Sequence, residues 1–322
     1  MKPTLEILHS IHQRLVKRHH LRGDRGLVAV GMGWPMKNGE PDRERGLELV
    51  YLVKKIKKRP LAHHKIPDVV RVYLAKGKGK RRKRYLARFT RHIMEMPKGV
   101  QLTGFSLMSG KEEFTGGALI RWPDGNGGQA WGLLTIGHGA VTEKVSVALP
   151  GGPPVSGQVY AKTDAGDALD AALVKLDPAD VTGRLGPFLP PARPMPVIRS
   201  RQELSDSWRT EPPACYLRTV AGPISFDITQ YFAGSAEHAI VPEEPNLEHI
   251  LMGHGALETF AQGTSGSIWA AQAGPLDAIQ VAGYPNDDAS ALFSNGIAVL
   301  IADYLDWASK QVGTGVTLMG AF

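Results

Sequence analysis

After Pro97 the chain is written as short β-prone runs separated by glycine and proline turns. GALIRW at 117–122, WGLLTI at 131–136, VSVAL at 145–149, SGQVYA at 156–161, AALVKL at 171–176 and AIQVAG at 278–283 are examples. Such spacing predicts an all-β barrel or sandwich. PDGNGGQ at 123–129 fits a hairpin turn between two of these strands. The 37 glycines and 23 prolines among 322 residues favour sheet-rich structure over a helical bundle. PFLPPARPMP at 187–196 reads as a proline-rich crossover joining two halves of the region. One helix is expected, at 297–311, with Ile297, Leu300, Ile301, Tyr304 and Leu305 on its packing face and Ser294 or Asn295 as its cap.

The first 95 residues follow a different grammar. Residues 3–20 place Leu5, Leu8, Ile11 and Leu15 on one face of an amphipathic helix, ended by Gly23. LVAVGMG at 27–33, LELVYLV at 47–53 and VVRVYLA at 69–75 predict strands. KGKGKRRKR at 76–84 is too charged and glycine-rich to pack, and 85–96 is expected to form a short basic helix. The net charge of +7 hides an imbalance: residues 54–92 hold 16 Lys/Arg against one acid, while residues 93–322 hold 13 against 24. Two electrostatically distinct pieces therefore meet near residue 95. Residues 1–95 read as a small basic α+β domain that regulates or recruits, and 96–322 as a second domain.

Several classes of function fall away. A single cysteine, Cys215, permits no intramolecular disulfide and reads as a buried structural thiol. No signal-like segment and no 18-residue apolar run occurs, so no membrane span and a reducing, cytoplasmic location are expected. His238, His249 and His254 are spaced by 11 and 5, which matches no zinc pattern, so no metal is expected. No glycine-rich fingerprint ends in Lys-Ser/Thr, so nucleotide binding has no support and no cofactor is expected.

Three segments carry chemistry together. LLTIGHGA at 133–140 places His138 directly after an apolar strand, DAALVKL at 170–176 places Asp170 at the mouth of another, and GTSGS at 263–267 places Ser265 in a glycine turn. A serine hydroxyl needs a neighbouring base to take its proton as it attacks. A neutral imidazole serves as that base, and a buried carboxylate fixes its tautomer. Glycines around the serine leave backbone N–H groups free to face a developing oxyanion.

In the order His, Asp, Ser and in these local words the chain resembles the chymotrypsin/trypsin-like serine peptidases, in a compact, disulfide-free bacterial style, over about residues 100–312. The family's T-A-x-H-C corresponds to Thr135-Ile136-Gly137-His138-Gly139, its D-x-A-L-x-x-L to Asp170 through Leu176, and its G-D-S-G-G to Gly263-Thr264-Ser265-Gly266-Ser267. The resemblance implies two packed six-stranded β-barrels with a C-terminal helix, the triad lying between them. It implies peptide-bond hydrolysis through an acyl-enzyme, with His138 as base, Asp170 as its orienting acid and Ser265 as nucleophile. The N–H groups of Gly263 and Ser265 would form the oxyanion hole. Thr264 departs from the family aspartate that answers a freed N-terminus, Ser267 replaces a glycine, and Gly139 stands where a disulfide cysteine is common.

Counting back six residues from Ser265 puts the base of the specificity pocket at Thr259 and Phe260, with Ala282 and Gly283 on the far wall. No aspartate stands there, so an apolar or small side chain is the expected preference. The expected partners are a protein substrate and an activating or recruiting partner at the tract Lys80, Arg81, Arg82, Lys83 and Arg84. Nucleic acid is a less favoured partner for that tract, because only Tyr85 and Phe89 follow as stacking aromatics. The rival reading is an inactive barrel serving as a protein- or nucleic-acid-binding module. An α/β-hydrolase expects Ser before Asp before His, the reverse of the order here.

Overall fold

The structure is a computed structural model. It describes residues 27–38, 40–45, 48–53, 69–76, 83–98, 100–102, 113–114, 117–140, 142–147, 155–164, 167–186, 195–200, 203–204, 207, 212–219, 222–232, 247, 249–256, 258–261, 264–271, 274–285 and 293–321.

In chain order the strands are β1 (Leu27–Gly33), β2 (Met36–Lys37), β3 (Glu40–Pro41), β4 (Glu48–Val53), β5 (Val69–Lys76), β6 (Lys83–Glu95), β7 (Gln101–Leu102), β8 (Glu113–Phe114), β9 (Ala118–Pro123) and β10 (Gln129–Thr135). They continue with β11 (Lys144–Val147), β12 (Val155–Lys162), β13 (Ala172–Leu176), β14 (Ala214–Thr219), β15 (Gly222–Phe232), β16 (Ile250–Gly255), β17 (Ile268–Ala271), β18 (Leu276–Tyr284), β19 (Asn295–Leu300) and β20 (Thr317–Ala321). Helix α1 (Pro178–Leu185) follows β13, and helix α2 (Ile301–Val312) follows β19.

These elements build a mainly β protein of two barrel-type units with a C-terminal helix, as the resemblance implies. The first unit is a seven-stranded sheet in the order β20-β9-β10-β13-β12-β11-β8. The second runs β14-β17-β18-β19-β16-β15, and β14 also pairs with β15, which closes a ring of six strands. Closure removes the free edges that an open sheet would expose.

Alternating side chains of the first unit make one core, with Leu119, Trp131, Leu133, Val145, Val174 and Leu176 packed against Val181 and Leu185 of α1. A larger cluster joins the two units. It takes Ile120, Leu134, Ile136 and Ala171 from the first, Ile268, Val281, Ile297 and Val299 from the second, and Tyr304 and Ala308 from α2. Burying each such aliphatic side chain contributes about 1.5–3 kcal/mol, so this shared core holds the two units together. The hairpin at 123–129 forms as expected: Asp124 Oδ1 accepts from Asn126 N at 2.8 Å and Gly128 N at 2.9 Å, while Gly125 and Gly127 take positive φ.

Two expectations are corrected. Residues 85–96 are no helix; all but Met96 lie within strand β6. β6 pairs antiparallel with β5 over 83–90 and parallel with β4 over 91–95, so its backbone groups are met by neighbours rather than by a helical ladder. The expected helix at 297–311 begins only at Ile301, because Ile297–Leu300 complete β19. The run IAVL is buried throughout and sits between β16 and β18, so it needs no polar face. Leu300 occupies the N-cap with no side-chain capping bond, and Gly313 ends the helix at φ +70°.

The helix expected at 3–20, the proline segment 187–194 and residues 77–82 of the basic tract lie outside the described residues. At the tract's ends Lys76 is the last residue of β5 and Lys83 and Arg84 are the first of β6. β1 does not stand apart: it pairs with β15 through Gly31↔Phe232, Met32↔Tyr231 and Gly33↔Gln230. Gly31 and Gly33 permit this approach, since a Cβ on Gly33 would sit 2.7 Å from the Thr229 carbonyl oxygen.

Candidate active site

His138 lies three residues beyond β10, in the turn closed by Ala140 N donating to Gly137 O at 2.9 Å. Asp170 lies two residues before β13, and β10 and β13 are paired from Trp131↔Leu176 to Thr135↔Ala172. That register brings the two side chains to one end of the sheet. Asp170 Oδ2 is 2.5 Å from His138 Nδ1, and Asp170 Oδ1 accepts from the His138 backbone N–H at 2.8 Å. Both carboxylate oxygens are thus committed to one residue. Asp170 is 2% exposed and the His138 side chain 13%. A buried carboxylate is tolerated only when so paired.

The neighbours hold that geometry. Thr163 Oγ1 accepts from Ala171 N at 2.8 Å and lies 3.1 Å from Ala171 O, to which it donates. Tyr304 Oη donates to the Asp170 carbonyl at 2.8 Å from α2. Gly137 leaves room for the carboxylate: a Cβ there would fall 2.6 Å from Asp170 Oδ1 and 3.0 Å from Ala171 O.

A neutral imidazole that donates from Nδ1 to the carboxylate presents Nε2 as its lone-pair side. Nε2 is buried and meets no hydrogen-bond partner among the described residues. That arrangement suits a base awaiting a proton donor.

Ser265 sits in a tight turn just before β17. Ser267 N donates to Thr264 O at 3.0 Å, and Gly266 takes φ +88°, which favours glycine. Gly266 N donates to Gln280 O at 2.9 Å, and Gln280 N donates to Ser267 O at 2.9 Å, which moors the turn to β18. Thr264, at the family's aspartate position, braces the loop from within by donating Oγ1 to Ala261 O at 2.8 Å. The Ser265 hydroxyl is buried and donates to Val281 O at 2.7 Å. Val281 shares the inter-unit core with Ile136 and Ala171, the neighbours of the His138 and Asp170 turns.

The remaining predicted positions divide. Gly263 lies outside the described residues. Thr259 is buried, with Oγ1 donating to Ala256 O at 2.8 Å. Phe260 is fully buried against Phe226 and Trp269, with ring centroids 5.1 and 5.7 Å away. Ala282 and Gly283 are on β18, where they pair with Ile297 and Gly296. Lys80, Arg81 and Arg82 lie outside the described residues, and no metal-binding group of His, Cys, Asp or Glu occurs among the described ones. Sequence reading missed Thr163, Tyr304 and Gly137 as supports of Asp170. Tyr304 was marked only as a packing residue; nothing in its neighbourhood in the sequence points to a carbonyl 134 positions away.

No protein-family model matches the chain, and no curated protein matches it. Solved structures do. An HtrA-type protease, AlgW, with a decapeptide is 20% identical, with a TM-score of 0.37, over 58% of this chain and 52% of that one. A glutamic acid specific serine protease, described as using a histidine triad in substrate binding, is 13% identical, with a TM-score of 0.39, over 68% of this chain and 96% of that one. Rv3671c from M. tuberculosis, in an inactive form, is 12% identical, with a TM-score of 0.35, over 61% and 87%. The chain spans 52–65% of the length of the first AlgW structures it matches. At these identities the likeness is one of fold. No helix among the described residues is long and apolar enough to cross a membrane.

Proposed function

We propose that the protein is a serine endopeptidase that hydrolyses peptide bonds through His138, Asp170 and Ser265. The observation that carries this reading is the doubly held Asp170–His138 pair, with His138 Nε2 buried and without a hydrogen-bond partner among the described residues. In the reaction, Ser265 Oγ attacks the substrate carbonyl carbon while its proton passes to Nε2. Asp170 holds the tautomer and stabilises the imidazolium. The N–H groups of Gly263 and Ser265 receive the oxyanion, the imidazolium returns its proton to the leaving amine, and water releases the acyl group by the same steps. Thr259, Phe260, Ala282 and Gly283 bound the specificity pocket, which takes an apolar or small side chain.

Engagement requires the Ser265 hydroxyl to leave Val281 O and donate to His138 Nε2 instead. The same hydrogen bond favours a second reading, an inactive barrel used as a protein- or nucleic-acid-binding module.

Residues 1–95 recruit or regulate and residues 96–322 carry the chemistry. Neutralising Lys80, Arg81, Arg82, Lys83 and Arg84 should weaken partner binding while leaving the single-turnover rate intact. A cytoplasmic location suits a chain with one cysteine.

Labelling with a serine-reactive fluorophosphonate separates the readings. The peptidase is expected to label at Ser265, and to lose labelling in Ser265→Ala and His138→Ala variants that remain folded. Absence of labelling in folded wild type, with and without a polyanion, supports the binding module instead.

A further inference from the structure

The ring of the second unit closes without β7. β14, β17, β18, β19, β16 and β15 complete it, and β7 stands off that path, paired with β18. β19 runs along one edge of β18 from Ala278↔Leu300 to Tyr284↔Asn295. On the other edge β17 takes the beginning, from Ala270↔Leu276 to Ile268↔Ile279. The Ser265 turn comes next. Gln280 is bonded to the backbone of Gly266 and Ser267, and Val281 O accepts the Ser265 hydroxyl. The two residues that follow are taken by β7, through Ala282↔Leu102 and Gly283↔Gln101. β19 already holds Ala282 and Gly283 from one side, so β7 holds them from the other, the side of the Ser265 turn.

The segment before β7 is anchored. Val100 is 9% exposed and belongs to the inter-unit core. Met96 packs against the same core, and its N–H donates to Val53 O at 2.7 Å, at the end of β4. β7 is thus a short strand on a short tether, laid on an edge that the ring does not need it to fill.

An extended segment added to a sheet edge is a general way for a protein to hold a peptide, main-chain hydrogen bonds giving affinity. The edge at Ala282 and Gly283 begins one residue past the carbonyl that holds the nucleophile, so a peptide added there lies beside Ser265. The chain fills that place with its own strand. We infer that β7 is an autoinhibitory strand, and that an extended peptide substrate gains the β18 edge by displacing it. The inference rests on the peptidase reading above and adds to it a regulation of the same site.

The energetics suit a latch. A tethered strand competes at an effective concentration set by its tether rather than by the solution. The apparent affinity for substrate is then reduced by the fraction of molecules in which β7 has let go. Pairing over two residues keeps the hold short, and its release leaves the six-stranded ring closed. Chemistry at Ser265 is untouched by the latch, which governs access for an extended main chain.

The experiment compares two probes of Ser265 on the full-length protein. A small fluorophosphonate reads the nucleophile without needing the β18 edge. A mixture of tetrapeptidyl phosphonates ending in the analogues of alanine, valine and leucine needs both. The double variant Gln101→Pro/Leu102→Pro lacks both backbone N–H groups of β7, and Val100→Ala weakens its anchor without touching the pairing residues. Circular dichroism checks the fold of each. Both variants are expected to label with fluorophosphonate within a few-fold of wild type. Their labelling by the peptidyl probe is expected to rise about tenfold or more, as when a competent minor state becomes the main one. Fluorophosphonate labelling of all three proteins, with peptidyl labelling of the folded variants no faster than that of wild type, overturns autoinhibition and leaves the peptidase reading standing. Failure of all three folded proteins to label with fluorophosphonate overturns the two together.

Discussion

The phenol of Tyr304 donates a 2.8 Å hydrogen bond to the backbone carbonyl of Asp170, tying the C-terminal helix to the residue whose carboxylate faces His138 Nδ1. Tyr304 is fully buried, and Ile301 and Ala308 on the same helix are buried with it in the inter-unit core. The helix is therefore part of the site's support as well as a cover for the barrels. Tyr304→Phe keeps the ring and removes the donor. Leaving a buried carbonyl without that donor costs about 1–3 kcal/mol, so the unfolding midpoint in urea should fall. Labelling of Ser265 should slow as well, because the Asp170 loop loses its tether. A lowered midpoint with unchanged labelling would show that the tether serves stability alone.

Gly137 tests the same geometry from the other side. Gly137→Ala places a Cβ 2.6 Å from Asp170 Oδ1 and 3.1 Å from Thr163 Oγ1, and neither atom is the free end of a flexible chain. The carboxylate must shift, and misplacing a catalytic group by about 1 Å costs roughly a hundredfold in rate. Labelling should drop by that order while circular dichroism stays near wild type. Gly183 in α1 is the control, since a Cβ there meets nothing within 4 Å. Gly183→Ala should label normally and gain about 0.5–1 kcal/mol from helix propensity.

The contrast between these residues explains what sequence reading reached. The meeting of Asp170 with His138 was legible because each stands at the end of a run whose strand character is local, and β10 and β13 then pair as neighbours. The all-β character was legible for the same reason, from strands punctuated by turns, whereas the two-barrel arrangement was implied only by the resemblance of the three motifs. β6 was not, because its partners β4 and β5 are what decide strand over helix for a run rich in arginine. IAVL at 297–300 matched a helical face by spacing, yet burial on both sides of β19 made it a strand. The placement of Gln101–Leu102 beside the Ser265 turn had no local signal, since two residues carry no periodicity and their partner strand lies far along the chain.

Asp170→Asn removes one acceptor and adds a donor. His138 N and Nδ1 both face the wild-type carboxylate, one oxygen each. An asparagine offers a single acceptor, so either the backbone N–H loses its partner or the imidazole takes the other tautomer. The second outcome turns Nε2 from a base into a donor. Labelling at Ser265 should fall by about 10⁴, the loss seen when a triad acid is made an amide elsewhere. The shape of the site should survive, so circular dichroism should match wild type. Labelling within a few-fold of wild type would show that Asp170 does not orient the base.

Asp277 should make stability depend on pH. Its carboxyl is buried on β18, and burial pushes its pKa up to about 6, against the opposing effects of the Arg199 charge and the Cys215 thiol. Arg199 Nε lies 3.1 Å from Asp277 Oδ1 without hydrogen-bond alignment, and Cys215 Sγ lies 3.5 Å from Oδ2. The folded protein keeps this proton up to about pH 6, whereas the unfolded chain releases it near the ordinary value of 3.8. Between those values the folded state binds more protons, so stability falls as pH rises. The contribution is full below 3.8 and lost through 6. A shift of this size corresponds to about 3 kcal/mol. Asp277→Asn cannot ionise, so the wild-type free energy of unfolding in urea, minus that of the variant, should decline by that order between those pH limits. A flat difference would mean that Arg199 holds the carboxyl at its ordinary pKa, and a rising one that the ion pair outweighs burial.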